Sequence, residues 1–142
     1  MRTVLTYTTC ALVLAVGAAT AQEKFPSRPL RIVVGFGAGS ATDILSREVA
    51  VKMADRWNQG VVVDNRPGAG SILGTDVVAK GAPDGYTLYL GTQGGLVLNA
   101  VVRKQLPYDP MADFTPITML LNNWRKVPVM ASASRDSLVA MK

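Results

Sequence analysis

The chain has 142 residues, with 15 Lys and Arg against 10 Asp and Glu, a formal net charge of +5, one cysteine (Cys10) and no histidine. Without histidine, zinc sites built on His and Cys, Cys–His dyads and Ser–His–Asp triads are excluded, and an enzyme is disfavoured before any motif is read. The basic residues are interspersed, the longest runs being Arg103-Lys104 and Arg125-Lys126, so the clustered basic patch of a nucleic-acid-binding protein is absent.

In chain order, Arg2 supplies a positive start, residues 4–16 are mostly apolar, and Ala19-Thr20-Ala21 fits the small-residue rule of a secretory cleavage site. Residues 1–21 are therefore expected to be a signal peptide cut between Ala21 and Gln22. The apolar stretch is shorter than the ~20 residues a membrane span requires. Cleavage would remove Cys10 and leave a mature chain without thiol or disulfide chemistry.

Residues 25–29 (Phe-Pro-Ser-Arg-Pro) form a stiff extended lead-in. Residues 30–34 (LRIVV) read as a buried strand. Ser40 with Asp43 three residues later resembles a capping box, and Leu45, Val49, Met53 and Trp57 mark one apolar face of a helix over 41–57. After a break at 58–60, residues 61–64 read as a second strand and 65–71 as a loop of turn residues. A helix over 72–80, a turn at 83–85 and a third strand over 86–90 follow. Residues 91–95 read as a glycine-bearing turn, 96–102 as a short helix, 106–110 as a rigid connector and 117–121 as a fourth strand.

Strands alternating with helices predict an α/β domain with a mainly parallel sheet and flanking helices. Ligands of such sheets bind beyond the carboxyl ends of the strands, and the loops at 35–40, 65–71 and 91–95 all follow strands. The site is expected at their common edge.

The first loop admits three readings. As a dinucleotide fingerprint it is imperfect: G-x-G-x-x-G counted from Gly35 meets Ser40, and counted from Gly37 it meets Thr42. Asp64, the ribose partner in that reading, is followed by Asn-Arg-Pro-Gly, a turn sequence. As a site for a carboxylate or other small anion, the loop offers helix N-terminal amides, small residues that let the backbone approach closely, and the hydroxyls of Ser40 and Thr42. Asp43 would then turn back to cap amides rather than face the ligand. As a structural turn, the loop needs only its cap and no ligand.

The stretches FPSRPLRIVVGFGAGSATDILSREVA, VVVDNRPGAGSILGTDVVAKGAPDGYTLYLGTQG and LPYDPMADFTPIT, in that order, resemble the Bug receptors, the extracytoplasmic solute-binding proteins of tripartite tricarboxylate transporters. The resemblance implies a periplasmic binding protein of type II-like fold, two lobes closing on a small carboxylate, and delivery to membrane permease subunits. It implies a first lobe over residues 22–121. Residues 122–142 would be a truncated or divergent start of the crossover to a second lobe that is largely missing. It implies ligand contacts from Phe36, Ala38, Gly39, Ser40, Thr42 and Asp43 in the first loop, and from Gly91, Thr92 and Gln93 in a second. A monomer without cofactor or metal is expected.

Two positions depart from the family pattern: Gly35 stands where proline is usual, and Ser40 replaces the second glycine of a usual pair. Neither change removes a backbone donor. Arg66 is read as structural rather than as the ligand's cation. With one lobe only, a bound carboxylate stays largely hydrated, so weak binding by this chain alone is expected, and a fragment without a transport role is the rival reading.

Overall fold

The computed structural model describes residues 24–120 and 128–132. The expected leader at 1–21, its cleavage position and most of the 122–142 tail lie outside the described residues.

Among the described residues five strands form one sheet: β1 (Leu30–Val34), β2 (Val61–Asn65), β3 (Thr87–Leu90), β4 (Phe114–Met119) and β5 (Pro128–Ser132), in the order β2-β1-β3-β5-β4. β1 pairs in parallel with both neighbours, Ile32 lying opposite Val63 and Leu88. β5 runs antiparallel between β3 and β4, with Met130 opposite Tyr89 on one side and Pro116 on the other. Four strands thus share one direction and β5 alone is reversed.

Side chains alternate across the sheet as the strand period demands. Ile32, Val34, Leu88, Leu90 and Val129 pack on one face with helix α1 (Ala41–Trp57). Val33 and Tyr89 pack on the other with Tyr108, Phe114, Leu96 and helix α2 (Ile72–Ala79). The apolar run Ile32-Val33-Val34 of β1 follows from cover on both faces, the rule for a central parallel strand.

Three sequence expectations are revised. On α1, the most buried stripe is Thr42, Ser46 and Ala50, small residues at a spacing of four that bring the helix close to the sheet. Leu45, Val49 and Met53 flank it, half-buried and packed against the core as their spacing predicts, and Trp57, 38% exposed, sets its ring edge-on to Phe25. The turn expected at 91–95 ends early, because Gly94 and Gly95 already belong to a π-helical turn (Gly94–Leu98) that runs into helix α3 (Asn99–Val102). The fourth strand begins at Phe114 rather than at 117. Pro116 is tolerated inside it because β4 is an edge strand, and the register shifts between Pro116 and Thr118.

These elements bring the loops after β1, β2 and β3 to one edge. Ser71, between Gly70 and α2, sits at their meeting point in left-handed conformation (φ 71°) and is 1% exposed. A Cβ at Gly95 would lie 2.1 Å from Ser71 Oγ, and one at Gly35 would lie 2.4 Å from Ser71 Cβ. Only glycine at both positions lets the three loops converge.

Candidate carboxylate-binding site

The loop between β1 and α1 is ordered by a short chain of charges and caps. Ser40 is the N-cap of α1, and its Oγ accepts from the Asp43 N–H at 3.2 Å. The Asp43 carboxylate accepts in return from the Gly39 N–H at 2.8 Å, one residue before the N-cap, whereas a capping box would return to the Ser40 N–H, which here donates to the Gly37 carbonyl. Gly39 reaches that position with φ 80°, where a side chain would be strained.

The same carboxylate accepts from Arg47 Nε at 3.1 Å, one helical turn on, and from Asn65 Nδ2 at 3.0 Å, across from the end of β2. Asn65 Nδ2 also donates to the Phe36 carbonyl at 3.1 Å, and Arg47 Nη2 to Asn65 Oδ1 at 3.3 Å. Hydrogen bonds from Arg47, the Gly39 amide and Asn65 hold the Asp43 carboxyl down at about 2, so it is charged throughout the physiological range.

Asp43 is thus turned inward and 2% exposed, an organiser of the loop rather than a group facing solvent. Ser40 is half-buried, Ala38 and Gly39 are exposed, and the first-turn N–H groups of Ala41 and Thr42 have no intrahelical acceptor. Thr42 itself is buried, its carbonyl accepting from Ser46 Oγ at 2.7 Å, and Phe36 packs half-buried against the α1-side core. The exposed rim is therefore Gly37, Ala38 and Gly39 with Ser40 beside them, at the positive end of a 17-residue helix.

In the second loop Gly91 is buried, and a Cβ there would meet the Tyr89 ring at 2.4 Å. Thr92 caps the π-helical turn: its Oγ1 accepts from the Gly95 N–H at 3.2 Å and its carbonyl from the Leu96 N–H at 3.1 Å. Gln93 is exposed. Of the residues expected in this loop, Gln93 presents an open polar side chain, while the Thr92 hydroxyl accepts in its cap and keeps its own proton to donate.

Behind the loops lies a hydroxyl network that sequence reasoning missed. Thr75 Oγ1 donates to the Ser71 carbonyl at 2.8 Å and lies 2.7 Å from the Tyr89 hydroxyl. The Tyr108 hydroxyl donates to the Gly95 carbonyl at 3.1 Å, and Asn99 Nδ2 joins the carbonyls of Gly70 and Gly95 at 3.0 Å each. Burial pushes the Tyr89 hydroxyl above its ordinary value despite the Thr75 hydrogen bond, so it stays a neutral strut. Of the residues missed, Arg47 carries a local signal in its i+4 spacing from Asp43, and Thr75–Ser71 and Asn99–Gly95 are likewise contacts four residues apart. Asn65 meets Asp43, Asn99 meets Gly70 and Thr75 meets Tyr89 only through the fold.

Arg66 Nε lies 3.0 Å from Asp64 Oδ2, and Arg31 reaches the same carboxylate from β1. Although partial burial opposes it, the hydrogen bonds from Arg66 and Arg31 hold the Asp64 carboxyl below its ordinary range. Arg66 is bound to the protein's own carboxylate, as the sequence suggests. Asp64 is clamped by two guanidinium groups of the chain itself.

The family model for the tripartite tricarboxylate transporter family receptor matches residues 45–137. The BugT protein of Bordetella pertussis is 37% identical over 106 residues, which cover 74% of this chain and 32% of BugT. Among solved structures, R. palustris Rpa4515 with adipate superposes with a TM-score of 0.65 at 38% identity, over 68% of this chain and 32% of that one. MatC from Rhodopseudomonas palustris with bound malate superposes with a TM-score of 0.64 at 38% identity, over 68% of this chain and 33% of that one. The chain spans about a third of the length of the curated relatives it matches. On the family match and on a fold shared with periplasmic binding proteins, this chain belongs to the tripartite tricarboxylate transporter receptor family.

Proposed function

We propose that the chain supplies the carboxylate-holding lobe of a periplasmic receptor, which captures a small organic acid and hands it to the membrane permease subunits of its transporter. Residues 1–21 direct export and are cleaved after Ala21. Residues 22–121 form the lobe, and 122–142 begin the crossover toward a second lobe. The lobe works as a monomer that binds and releases its acid without chemical change.

The observation that carries this reading is the loop at the start of α1. Its open rim of Gly37, Ala38, Gly39 and Ser40 stands at a helix N-terminus, while the Asp43 carboxylate beside it is buried and neutralised by Arg47. A ligand carboxylate arriving there meets a helix dipole and free amides rather than a repelling charge. Solved relatives bound to adipate and to malate support the ligand class. Thr92 and Gln93, one strand away, are proposed to meet the ligand's second polar group.

The test is a titration of the purified chain with malate and with adipate, followed by the backbone amide resonances. Saturable shifts concentrated at Gly39, Ser40, Ala41 and Thr42 are expected. Uniform small shifts, or shifts clustered elsewhere, would overturn the assignment.

A further inference from the structure

We infer that the outward face of residues 97–104 is a docking surface for an anionic lipid bilayer. The inference goes beyond the proposed function and does not depend on the carboxylate loop.

The stretch from the π-helical turn through α3 is amphipathic in reverse. Its inner side is held by small or polar groups: Gly95 is buried against Ser71, and Asn99 donates from Nδ2 to the carbonyls of Gly70 and Gly95 at 3.0 Å each. Leu96 alone of its aliphatic side chains is buried, and α3 buries none. Val97, Leu98, Val101 and Val102 turn outward, between 54% and 78% exposed. Val97, Leu98 and Val101 line one groove of about 280 Å³, so they share a surface. Single aliphatic side chains in water are ordinary, whereas a contiguous stripe of them marks a place where something binds.

The border of the stripe decides the partner. Arg103 and Lys104 follow it directly, both exposed, and form no ion pair among the described residues. The next carboxylates in the chain, Asp109 and Asp113, accept from the backbone amides of their own turn. An aliphatic stripe edged by two cations complements the acyl boundary and the phosphate layer of an anionic membrane. The outward side chains from Val97 to Val102 also carry no hydrogen-bonding group. A protein partner would find little there to set its register, since such interfaces carry about ten hydrogen bonds, and a fluid surface needs none.

Helix α1 provides an internal control. It packs with Ile32 on one face of the sheet, whereas Leu96 packs on the other.

The experiment records amide spectra of the purified full chain with bicelles of phosphatidylcholine alone, and of phosphatidylcholine mixed with phosphatidylglycerol, each carrying a spin-labelled lipid. The anionic bicelles are expected to broaden residues 97–104 and to leave α1 sharp, and added salt to weaken the effect. Val101→Asp is expected to lower the affinity by about tenfold or more. Arg103→Gln and Lys104→Gln are expected to lower it about fivefold for each charge removed. All three side chains are exposed, so the variants are expected to keep the wild-type melting temperature.

Broadening centred on residues 24–29 and absent at 97–104 would show that the N-terminal segment meets the lipid instead, and would overturn the inference. Equal broadening at 97–104 by neutral and anionic bicelles, or by wild type and Val101→Asp, would overturn it as well. So would no broadening with either lipid, and a dimer in sedimentation that Val101→Asp dissolves would then show that a second copy covers the stripe.

Discussion

The side-chain amide of Asn65 donates to the Asp43 carboxylate at 3.0 Å and to the Phe36 carbonyl at 3.1 Å. One amide at the end of β2 thereby fixes both the start of α1 and the loop leading into it. The loop's shape is set before any ligand arrives, which lowers the ordering cost of binding.

Asn65→Ala is expected to leave the Phe36 carbonyl without its partner and to destabilise the chain by about 1–3 kcal/mol. Urea unfolding should show a lower midpoint with an unchanged slope, because the change acts on the native state. An unaltered midpoint would mean that the loop is held by other contacts.

Acid should reveal Asp43. Its carboxyl is held at about 2, below the ordinary 3.8, by Arg47 first and then by the Gly39 amide and Asn65. A depressed folded-state value means that the ionised group stabilises the fold above about pH 4, and that this contribution is lost as the pH falls toward 2. The melting temperature of the wild-type chain should therefore drop between about pH 4 and pH 2 more steeply than that of Asp43→Asn, which starts lower at neutral pH. Parallel curves for the two would show that Asp43 carries no folded-state preference for its charge.

Ser40→Glu puts a second carboxylate beside the rim where the ligand's own is expected. Binding of malate or adipate should fall at least tenfold, and Ser40→Thr, which keeps a capping hydroxyl, should bind within a few-fold of wild type. Calorimetry or amide shifts on folded variants would read the difference. Normal binding by Ser40→Glu would move the site away from this loop. For the chain by itself, one lobe should give weak binding, and micromolar affinity would contradict that expectation.

Arg66→Ala separates a structural arginine from a ligand cation. Asp64 keeps Arg31, and the Arg66 side chain is 54% exposed, so a loss of under about 1 kcal/mol is expected, with acid binding unchanged. A binding loss without a stability loss would assign Arg66 to the ligand.

Gly95→Ala and Gly37→Ala form a matched pair. The first brings a methyl to 2.1 Å from Ser71 Oγ and should cost about 1–3 kcal/mol with visible displacement of the loops. The second meets nothing within 4 Å and should be near neutral or slightly stabilising in thermal melts. Equal melting temperatures for the two would mean that the convergence of the loops on Ser71 is not tight.

Local patterns sufficed for much of the architecture. The β-branched runs at 30–34 and 61–64, the four-residue apolar spacing after Ala41 and the Ser40–Asp43 pair are short-range signals, and β1, β2, α1 and its cap stand where they indicate. The ordered motifs from Phe25 to Thr118 carried the family. Two short-range signals pointed elsewhere: Pro116 reads as a breaker until its strand is seen at the sheet's edge, and Gly94-Gly95 reads as a turn until Ser71 is seen pressed against it.

The sequence by itself determined where β1, β2, α1 and its Ser40 cap lie, and that the loops after β1, β2 and β3 share one edge. Only the tertiary structure decided that Asn65 joins Asp43 from the end of β2, that Arg31 and Arg66 meet on Asp64, and that β5 enters the sheet between β3 and β4. The physical reason is range. Helix periodicity, strand alternation and caps are contacts between residues a few positions apart, written directly in the order of the chain. Asn65 at Asp43, Tyr89 at Thr75, and Gly35 and Gly95 at Ser71 come from segments far apart in sequence, and packing alone brings them within hydrogen-bonding or van der Waals distance.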